Sequence, residues 1–174
     1  MSEAPVLITL QELELHRVTV SKTYEAGSLD YRAADFEQVG PLKADATAEL
    51  VGSEIRIRGH LGTRLRAHCD RCLKPIEFPV DQDFDLFYRP MSSIARQEEI
   101  EIPDEESEIG FFSGEGIEFS DVIVEQVNLA LPMKLVCRPD CLGLCPVCGI
   151  DRNVEECQCR IEEHQSPFDA LKRE

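Results

Sequence analysis

Eight cysteines in four close pairs constrain this chain of 174 residues more than any other feature of its sequence. The gaps within the pairs are two, three, two and one residues, at Cys69/Cys72, Cys137/Cys141, Cys145/Cys148 and Cys157/Cys159. A gap of this size lets one tight turn direct two sulfurs at one ion, and two such turns complete the tetrahedron that Zn²⁺ prefers. A site closed by four thiolates has no open position for water or substrate. The spacing therefore predicts two structural Zn²⁺ sites.

Two groupings of the pairs are compatible with the spacing. In the preferred grouping, Cys145, Cys148, Cys157 and Cys159 form one local site, because the eight residues 149–156 are enough for the chain to turn back. Cys69 and Cys72 then join Cys137 and Cys141, which begin 65 residues after Cys72. In the alternative grouping, Cys69 and Cys72 join Cys145 and Cys148, which leaves the other four cysteines free. Metal binding at such a site contributes folding free energy directly, with values of ~10–16 kcal/mol in finger peptides.

Cysteines can also form disulfides, act in redox reactions or bind Fe–S clusters, and the sequence bears on each of these uses. The N-terminus has no basic n-region followed by an apolar run, and the apolar runs fall far short of the ~20 residues of a membrane span. We therefore expect a cytoplasmic protein without a membrane partner, in which thiols stay reduced and disulfides are rare. A redox role for Cys69 and Cys72 and an Fe–S cluster remain alternatives. The CPxCG sequence at 145–149 favours zinc over both.

Alternation of apolar and polar residues predicts strands over most of the first two-thirds of the chain. The alternating segments are 6–10, 44–50, 55–60, 65–69 and 76–80, whereas 26–40 is expected to be a loop or short helical turn. The predicted class is α+β: an antiparallel β-meander or partly open β-barrel, one main helix and a Cys-rich C-terminal zinc-knuckle segment.

The main helix is predicted over 120–131. Ser120 is the expected N-cap, Ile123 and Val127 belong to its apolar face, and Pro132 ends it. An acidic loop over 91–118, with a possible short strand at 99–102, precedes the helix. We place a β-rich core domain at 1–136, and a zinc module with a C-terminal tail, docked through 166–171, at 137–174.

The net charge of −16 argues against indiscriminate nucleic-acid binding, but the charge is unevenly spread. Residues 56–74 contain six bases and one acid, a net of +5, whereas residues 98–125 contain eleven acids and no base. The alternation predicts that the arginines lie on the polar face of two neighbouring strands. Either they form an RNA-binding patch, or they pair with the protein's own acids. The candidate RNA-binding residues are Arg56, Arg58, Arg64, Arg66, Arg71 and Lys74.

Four stretches together resemble the YceD family. They are CDRCLKP at 69–75, EQVNLALP at 125–132, CLGLCPVCG at 141–149 and SPFDALK at 166–172. Their order and spacing are similar to the family's CxRCL segment, its helix ending in LALP, its CxGLCPxCG knuckle and its C-terminal motif. The stretch GIDRNV at 149–154 departs from the family's usual GxNLN.

This resemblance implies a non-catalytic factor of ribosome biogenesis that supports accumulation of the 23S ribosomal RNA. No nucleophile, phosphate-binding or metalloprotease motif is present, so the sequence itself predicts neither an enzyme nor a small-molecule substrate. The expected partner is ribosomal RNA or a pre-ribosomal particle, contacted through the basic residues. The alternative is a zinc-stabilised adaptor that binds a basic ribosomal protein without touching RNA.

Overall fold

The computed structural model describes residues 6–32, 35–93 and 109–160. Its elements, in chain order, are β1 (Leu7–Thr9), α1 (Leu10–Leu15), β2 (Val18–Tyr24), β3 (Phe36–Gln38), β4 (Leu42–Val51), β5 (Glu54–His68), β6 (Pro75–Pro90), a 3₁₀ turn (Met91–Ser93), β7 (Ile109–Phe112), β8 (Gly116–Glu118) and α2 (Phe119–Leu129). The fold is α+β, as predicted. No helix of these residues is long and apolar enough to cross a membrane.

The chain divides into two compact units. The first consists of residues 1–67 and 77–133, and the second of residues 68–76 and 134–174. The second unit thus takes a short segment from between β5 and β6, which the sequence division had assigned to the core domain. The C-terminal motif at 166–172 lies outside the described residues, as does the possible strand at 99–102.

The first unit is built on an open sheet. Its strand order is β2-β4-β5-β6-β7, and β3 pairs with the part of β5 that β4 leaves free. The described strands thus form open sheets, and the partly open β-barrel given as the second form of the prediction is not found among them. The meander is also incomplete, because β7 runs parallel to β6. Parallel neighbours need a long connection rather than a tight hairpin turn, and residues 91–108 separate the two strands along the chain. A separate two-stranded sheet pairs β1 with β8.

Strand alternation buries one face of the main sheet. Ile55, Ile57, Leu61 and Leu65 of β5 are completely buried, in one core with Leu42 and the alanines of β4. Helix α2 belongs to the same core through Phe119, Val122, Ile123 and Val127. At Gly59, a Cβ would lie 2.4 Å from the Asp45 carbonyl oxygen and 2.6 Å from Phe84 Cζ, so the close approach of β4 and Phe84 requires glycine.

The helices begin differently from each other. Thr9 caps α1 in a reciprocal capping box with Glu12. Helix α2 begins at Phe119 directly after β8, and its N-cap Glu118 makes no side-chain cap bond. Ser120, the predicted N-cap, therefore lies inside the helix, where its hydroxyl donates to Glu118 Oε1 at 2.9 Å. The helix starts earlier because Phe119 is completely buried in the core.

Candidate metal centres and basic strand

The first cysteine group is formed by two turns of the second unit. In the turn at 69–74, the Cys69 N–H donates to the Lys74 carbonyl at 2.8 Å, and the Leu73 N–H donates to the Cys69 carbonyl at 2.9 Å. In the other turn, the Cys141 N–H donates to the Arg138 carbonyl at 3.1 Å. These turns bring together the sulfurs of Cys69, Cys72, Cys137 and Cys141.

The sulfur positions in this group suit a single tetrahedral ion. All four atoms lie within 4.8 Å of one another, with Cys69–Cys141 at 4.0 Å and Cys72–Cys137 at 3.7 Å. Metal–sulfur bonds of ~2.3 Å in a tetrahedron imply sulfur–sulfur separations of ~3.8 Å. A disulfide needs about 2.05 Å. The group can therefore hold a metal ion, and all eight cysteines of the chain are free thiols.

The first group is mostly buried. Cys69, Cys72 and Cys141 are buried with Ile76 and Val136 packed against them, whereas Cys137 is exposed. Burial raises the pKa of the Cys69 thiol, but backbone N–H donors, Cys137 first among them, outweigh it and lower that pKa to about 6. The Cys137 N–H lies 3.4 Å from Cys69 Sγ. Cys69 thus favours thiolate, the form that binds metal, whereas burial and the neighbouring cysteines raise the pKa of Cys137 to about 12.

Polar side chains fasten the two turns of the first group to each other. Asp70 and Leu135 exchange two hydrogen bonds, from the Asp70 N–H to the Leu135 carbonyl at 2.8 Å and from the Leu135 N–H to Asp70 Oδ2 at 2.6 Å. Arg71 Nη1 donates to the carbonyls of Cys141 at 2.8 Å and Pro139 at 3.2 Å. Arg71, a candidate RNA-binding residue, thus has a structural role in this turn.

The second cysteine group is local and more exposed. Cys145, Cys148, Cys157 and Cys159 have their sulfurs within 4.8 Å of one another, so this group can also hold a metal ion. Only Cys145 is buried. The backbone N–H groups of Cys148 and Val147 lower the pKa of Cys145 to about 6. The structure thus has the preferred grouping of cysteines and not the alternative one.

The four arginines of residues 56–66 lie on one strand rather than on two neighbouring strands, so the predicted hairpin is wrong. Leu61 and Thr63 are both buried, so the alternation continues through Gly62 and β5 runs unbroken from Glu54 to His68. Arg56, Arg58, Arg64 and Arg66 therefore share its polar face. Arg71 and Lys74 belong to the second unit.

Acidic residues of the protein pair with most of these bases. Arg56 binds both carboxylate oxygens of Asp85, at 2.8 and 2.6 Å, and hydrogen bonds from Arg56 lower the pKa of Asp85. The remaining ion pairs join Arg66 to Glu77 at 2.6 Å and to Glu37 at 3.3 Å, Arg58 to Glu49 at 3.4 Å, and Lys74 to Asp151 at 2.9 Å. Arg64 is exposed and has no ion pair to another described residue. Strand β5 is thus largely charge-compensated.

Asp151 and Asn153 lie near the cysteines but are not among the residues predicted from the sequence. Asp151 accepts from the Asn153 backbone N–H at 2.9 Å and from Asn153 Nδ2 at 2.6 Å. Asn153 in turn contacts the first cysteine group. The D-x-N spacing is a usable signal, because an Asp side chain commonly accepts from the backbone two residues further on.

Fold and site together define a class: α+β proteins with two four-cysteine groups, each of which can hold a metal ion. The chain belongs to the YceD family, because the sequence model of the family described as "Large ribosomal RNA subunit accumulation protein YceD" matches residues 57–173. This match includes both cysteine groups and the whole polar face of β5 from Arg58 onward.

Relatives with curated sequences come from mycobacteria. An uncharacterized protein of Mycobacterium tuberculosis is 34% identical over 115 residues, which cover 66% of this chain and 53% of the relative. An uncharacterized protein of Mycobacterium leprae is 28% identical over 116 residues, covering 66% of this chain and 51% of the relative. The chain thus spans about half the length of these relatives. No solved structure matches it.

Proposed function

We propose that this protein is a non-catalytic, cytoplasmic factor of ribosome biogenesis that supports the accumulation of 23S ribosomal RNA. The observation that carries this proposal is membership of a family described by that role. The description names an RNA that accumulates and no reaction. The two four-cysteine groups support a structural rather than a chemical use of metal, because four thiolates leave no coordination position for a substrate.

We further propose that each cysteine group holds Zn²⁺. An all-thiolate tetrahedral set is typical of structural zinc, and the sulfur separations of 3.7 and 4.0 Å fit its bond lengths. With Zn²⁺ bound, each group carries a formal charge of −2. Among its described residues, which end at 160, the second unit has few buried apolar side chains besides its cysteines. Metal binding then supplies much of the free energy that folds it.

The charge arrangement favours action through a protein partner. The cations of β5 are engaged by Asp85, Glu77 and Glu49, so that strand presents a mixed surface rather than a cationic one. The chain as a whole carries −16. Complementary charge speeds association and selects partners. A basic ribosomal protein therefore fits this molecule, which would act as an adaptor.

Direct contact with ribosomal RNA is the second candidate, and Arg64 favours it. This side chain is exposed without an ion pair to another described residue, and the neighbouring pair of Arg58 with Glu49 is long at 3.4 Å. Surface ion pairs contribute only ~0–1 kcal/mol, so a phosphate can displace the carboxylate. In this second mode, Arg56, Arg58, Arg64 and Arg66 bind phosphates, with Arg71 and Lys74 as further contacts.

Depletion in the protein's own cell tests the role. We expect the ratio of 23S to 16S ribosomal RNA to fall, and the wild-type gene to restore it. A variant with Cys72→Ser and Cys141→Ser should fail to restore the ratio at equal protein level. An unchanged ratio after depletion would overturn the proposed role.

Crosslinking separates the two modes of action. Arg58→Glu with Arg64→Glu reverses two exposed charges and leaves the Arg56–Asp85 and Arg66–Glu77 pairs intact. Lys134→Glu, at an exposed site outside the sheet, is the control for a charge reversal elsewhere. The adaptor mode predicts crosslinks to a basic ribosomal protein that survive nuclease treatment. Crosslinks to ribosomal RNA that only the Arg58/Arg64 variant loses would instead establish the RNA mode.

A further inference from the structure

A residue from the loop of the second cysteine group contacts a cysteine of the first. Asn153 lies between Cys148 and Cys157, yet its Nδ2 is 3.5 Å from Cys141 Sγ. An N–H donor at this distance stabilises a thiolate ligand and fixes its orientation, as outer-shell groups do at metal sites.

The orientation of the Asn153 amide is set by its other partners. Its Oδ1 accepts from the Leu142 N–H and from Arg138 Nη2, both at 2.9 Å. Its Nδ2 donates to Asp151 Oδ1 at 2.6 Å. A flipped amide would place its NH₂ against two donors and its oxygen against a carboxylate. The hydrogen-bond network therefore requires that the N–H faces Cys141.

The backbone connects the two groups at the same place. Only three residues separate Cys141 from Cys145. Leu144 forms a β-bridge with Asp151, and the Arg152 N–H donates to the Gly143 carbonyl at 3.0 Å. The Leu144 N–H also donates to the Arg71 carbonyl at 2.8 Å, in the first turn of the first group. The loop that carries Asn153 is thus ordered by contacts to both groups.

We propose that Asn153 is a positioning residue that couples the two centres, so that they bind metal cooperatively. Metal at the second centre orders the loop at 149–156, and the ordered loop places the Asn153 amide on a ligand of the first. By linkage, metal at the first centre favours the second to the same extent. This inference rests on the zinc sites proposed above.

Native mass spectrometry of the full chain tests the coupling. One equivalent of Zn²⁺ is added per chain to metal-free, reduced protein, and chains with zero, one and two ions are counted. Independent sites leave about half or more of the chains with one ion. We expect fewer than half in the wild type and in the control Arg152→Gln, whose exposed side chain has no hydrogen bond or ion pair to another described residue.

Asn153→Asp keeps the size of the side chain and the Oδ1 acceptor, removes the Nδ2 donor, and places a carboxylate beside Asp151 and Cys141 Sγ. We expect its singly loaded fraction to rise to half or more. A wild-type distribution in Asn153→Asp, or independent loading in the wild type, would overturn the coupling. If two ions still bind at saturation, the proposed zinc sites survive that result. A chain that binds no Zn²⁺ at all would overturn both the coupling and the proposed zinc sites.

A variant without the second centre gives an independent measurement. In Cys148→Ser with Cys159→Ser, we expect the first centre to bind Zn²⁺ at least about fivefold more weakly in a chelator competition. Adding Asn153→Asp to this variant should weaken binding much less than it does in the wild type. Equal effects of Asn153→Asp in both backgrounds would contradict the coupling.

Discussion

The Asp151 carboxylate lies 2.9 Å from Lys74 Nζ. This ion pair joins the loop of the second cysteine group to the turn at 69–74 of the first. Hydrogen bonds from Asn153 and the ion pair with Lys74 lower the pKa of Asp151 to about 2. The Asp151 carboxylate has three donors, because it accepts from the backbone and the side chain of Asn153 as well as from Lys74.

The two partners of this pair should therefore differ on substitution. Asp151→Ala leaves three donors without their acceptor, whereas Lys74→Ala removes one of them. We expect Asp151→Ala to lower the unfolding midpoint of the metal-loaded protein more than Lys74→Ala does, measured by calorimetry. A drop in Lys74→Ala as large as that in Asp151→Ala would show that the ion pair is the main contribution.

Two glycines of β5 offer a matched test of core packing. A Cβ at Gly59 would lie 2.4 to 2.7 Å from Asp45, Phe84 and Ala46, whereas a Cβ at Gly62 would have ordinary contacts near 3.8 Å. We expect Gly59→Ala to destabilise the protein by about 1–3 kcal/mol or more, as overpacking does. Gly62→Ala should be nearly neutral in the same denaturant titration. Similar losses at both sites would mean that the sheet itself disfavours alanine.

The buried side chains of α2 should account for most of what this helix contributes to the free energy of unfolding. Phe119 is completely buried at the first helical position, whereas Leu129 is 69% exposed. Phe119→Ala should therefore cost about 3–5 kcal/mol of unfolding free energy. Leu129→Ala should change it by less than about 0.5 kcal/mol. Equal changes in urea unfolding would place α2 outside the core.

The Arg56–Asp85 pair predicts a pH dependence. Arg56 lowers the pKa of Asp85 in the folded state, so the pair stabilises the fold above the unfolded pKa of about 3.9. This stabilisation is lost as the pH falls through the lower folded value. The difference in unfolding free energy between wild type and Asp85→Asn should thus be constant from pH 5 to 7 and shrink as the pH falls below about 3.9. A difference that grows on acidification would contradict the assigned pair.

If Zn²⁺ occupies the two cysteine groups as proposed, its release should occur in two phases. Three of the four cysteines of the first group are buried, but only Cys145 of the second is. A chelator should therefore remove one Zn²⁺ per chain quickly and the other slowly, as followed with a metallochromic dye. Cys137→Ser and Cys159→Ser, each an exposed ligand of one centre, should abolish the slow and the fast phase respectively. A single phase for both ions would show that exposure does not control release.

Local patterns in the sequence predicted the elements better than their arrangement. The alternation around Ile55 and Ile57 specifies a half-buried strand wherever that strand is placed. The gaps within the cysteine pairs likewise follow from the geometry of a single turn, and the preferred grouping required only that residues 149–156 turn back. These features depend on short stretches of chain.

Features set by distant residues were not predictable in this way. The arginines of β5 pair with acids of β6 because of the register between these two strands. Arg56 pairs with Asp85, and Arg66 pairs with Glu77. The parallel pairing of β7 depends on a crossover rather than on alternation. The contact of Asn153 with Cys141 requires both turns to be folded first. In each case the partner is chosen by tertiary structure.

The division of the second unit along the chain has a consequence for synthesis on the ribosome. Cys72 precedes Cys137 by 65 residues. Because translation proceeds at roughly 5–20 residues per second, Cys69 and Cys72 are synthesised roughly 3–13 s before Cys137. Throughout that interval, the nascent chain presents a reduced dithiol without its complement. The chain is thus open to oxidation or to capture of the wrong ion while it is being made, and the ligands of the first group are complete 18 residues before those of the group at Cys145–Cys159.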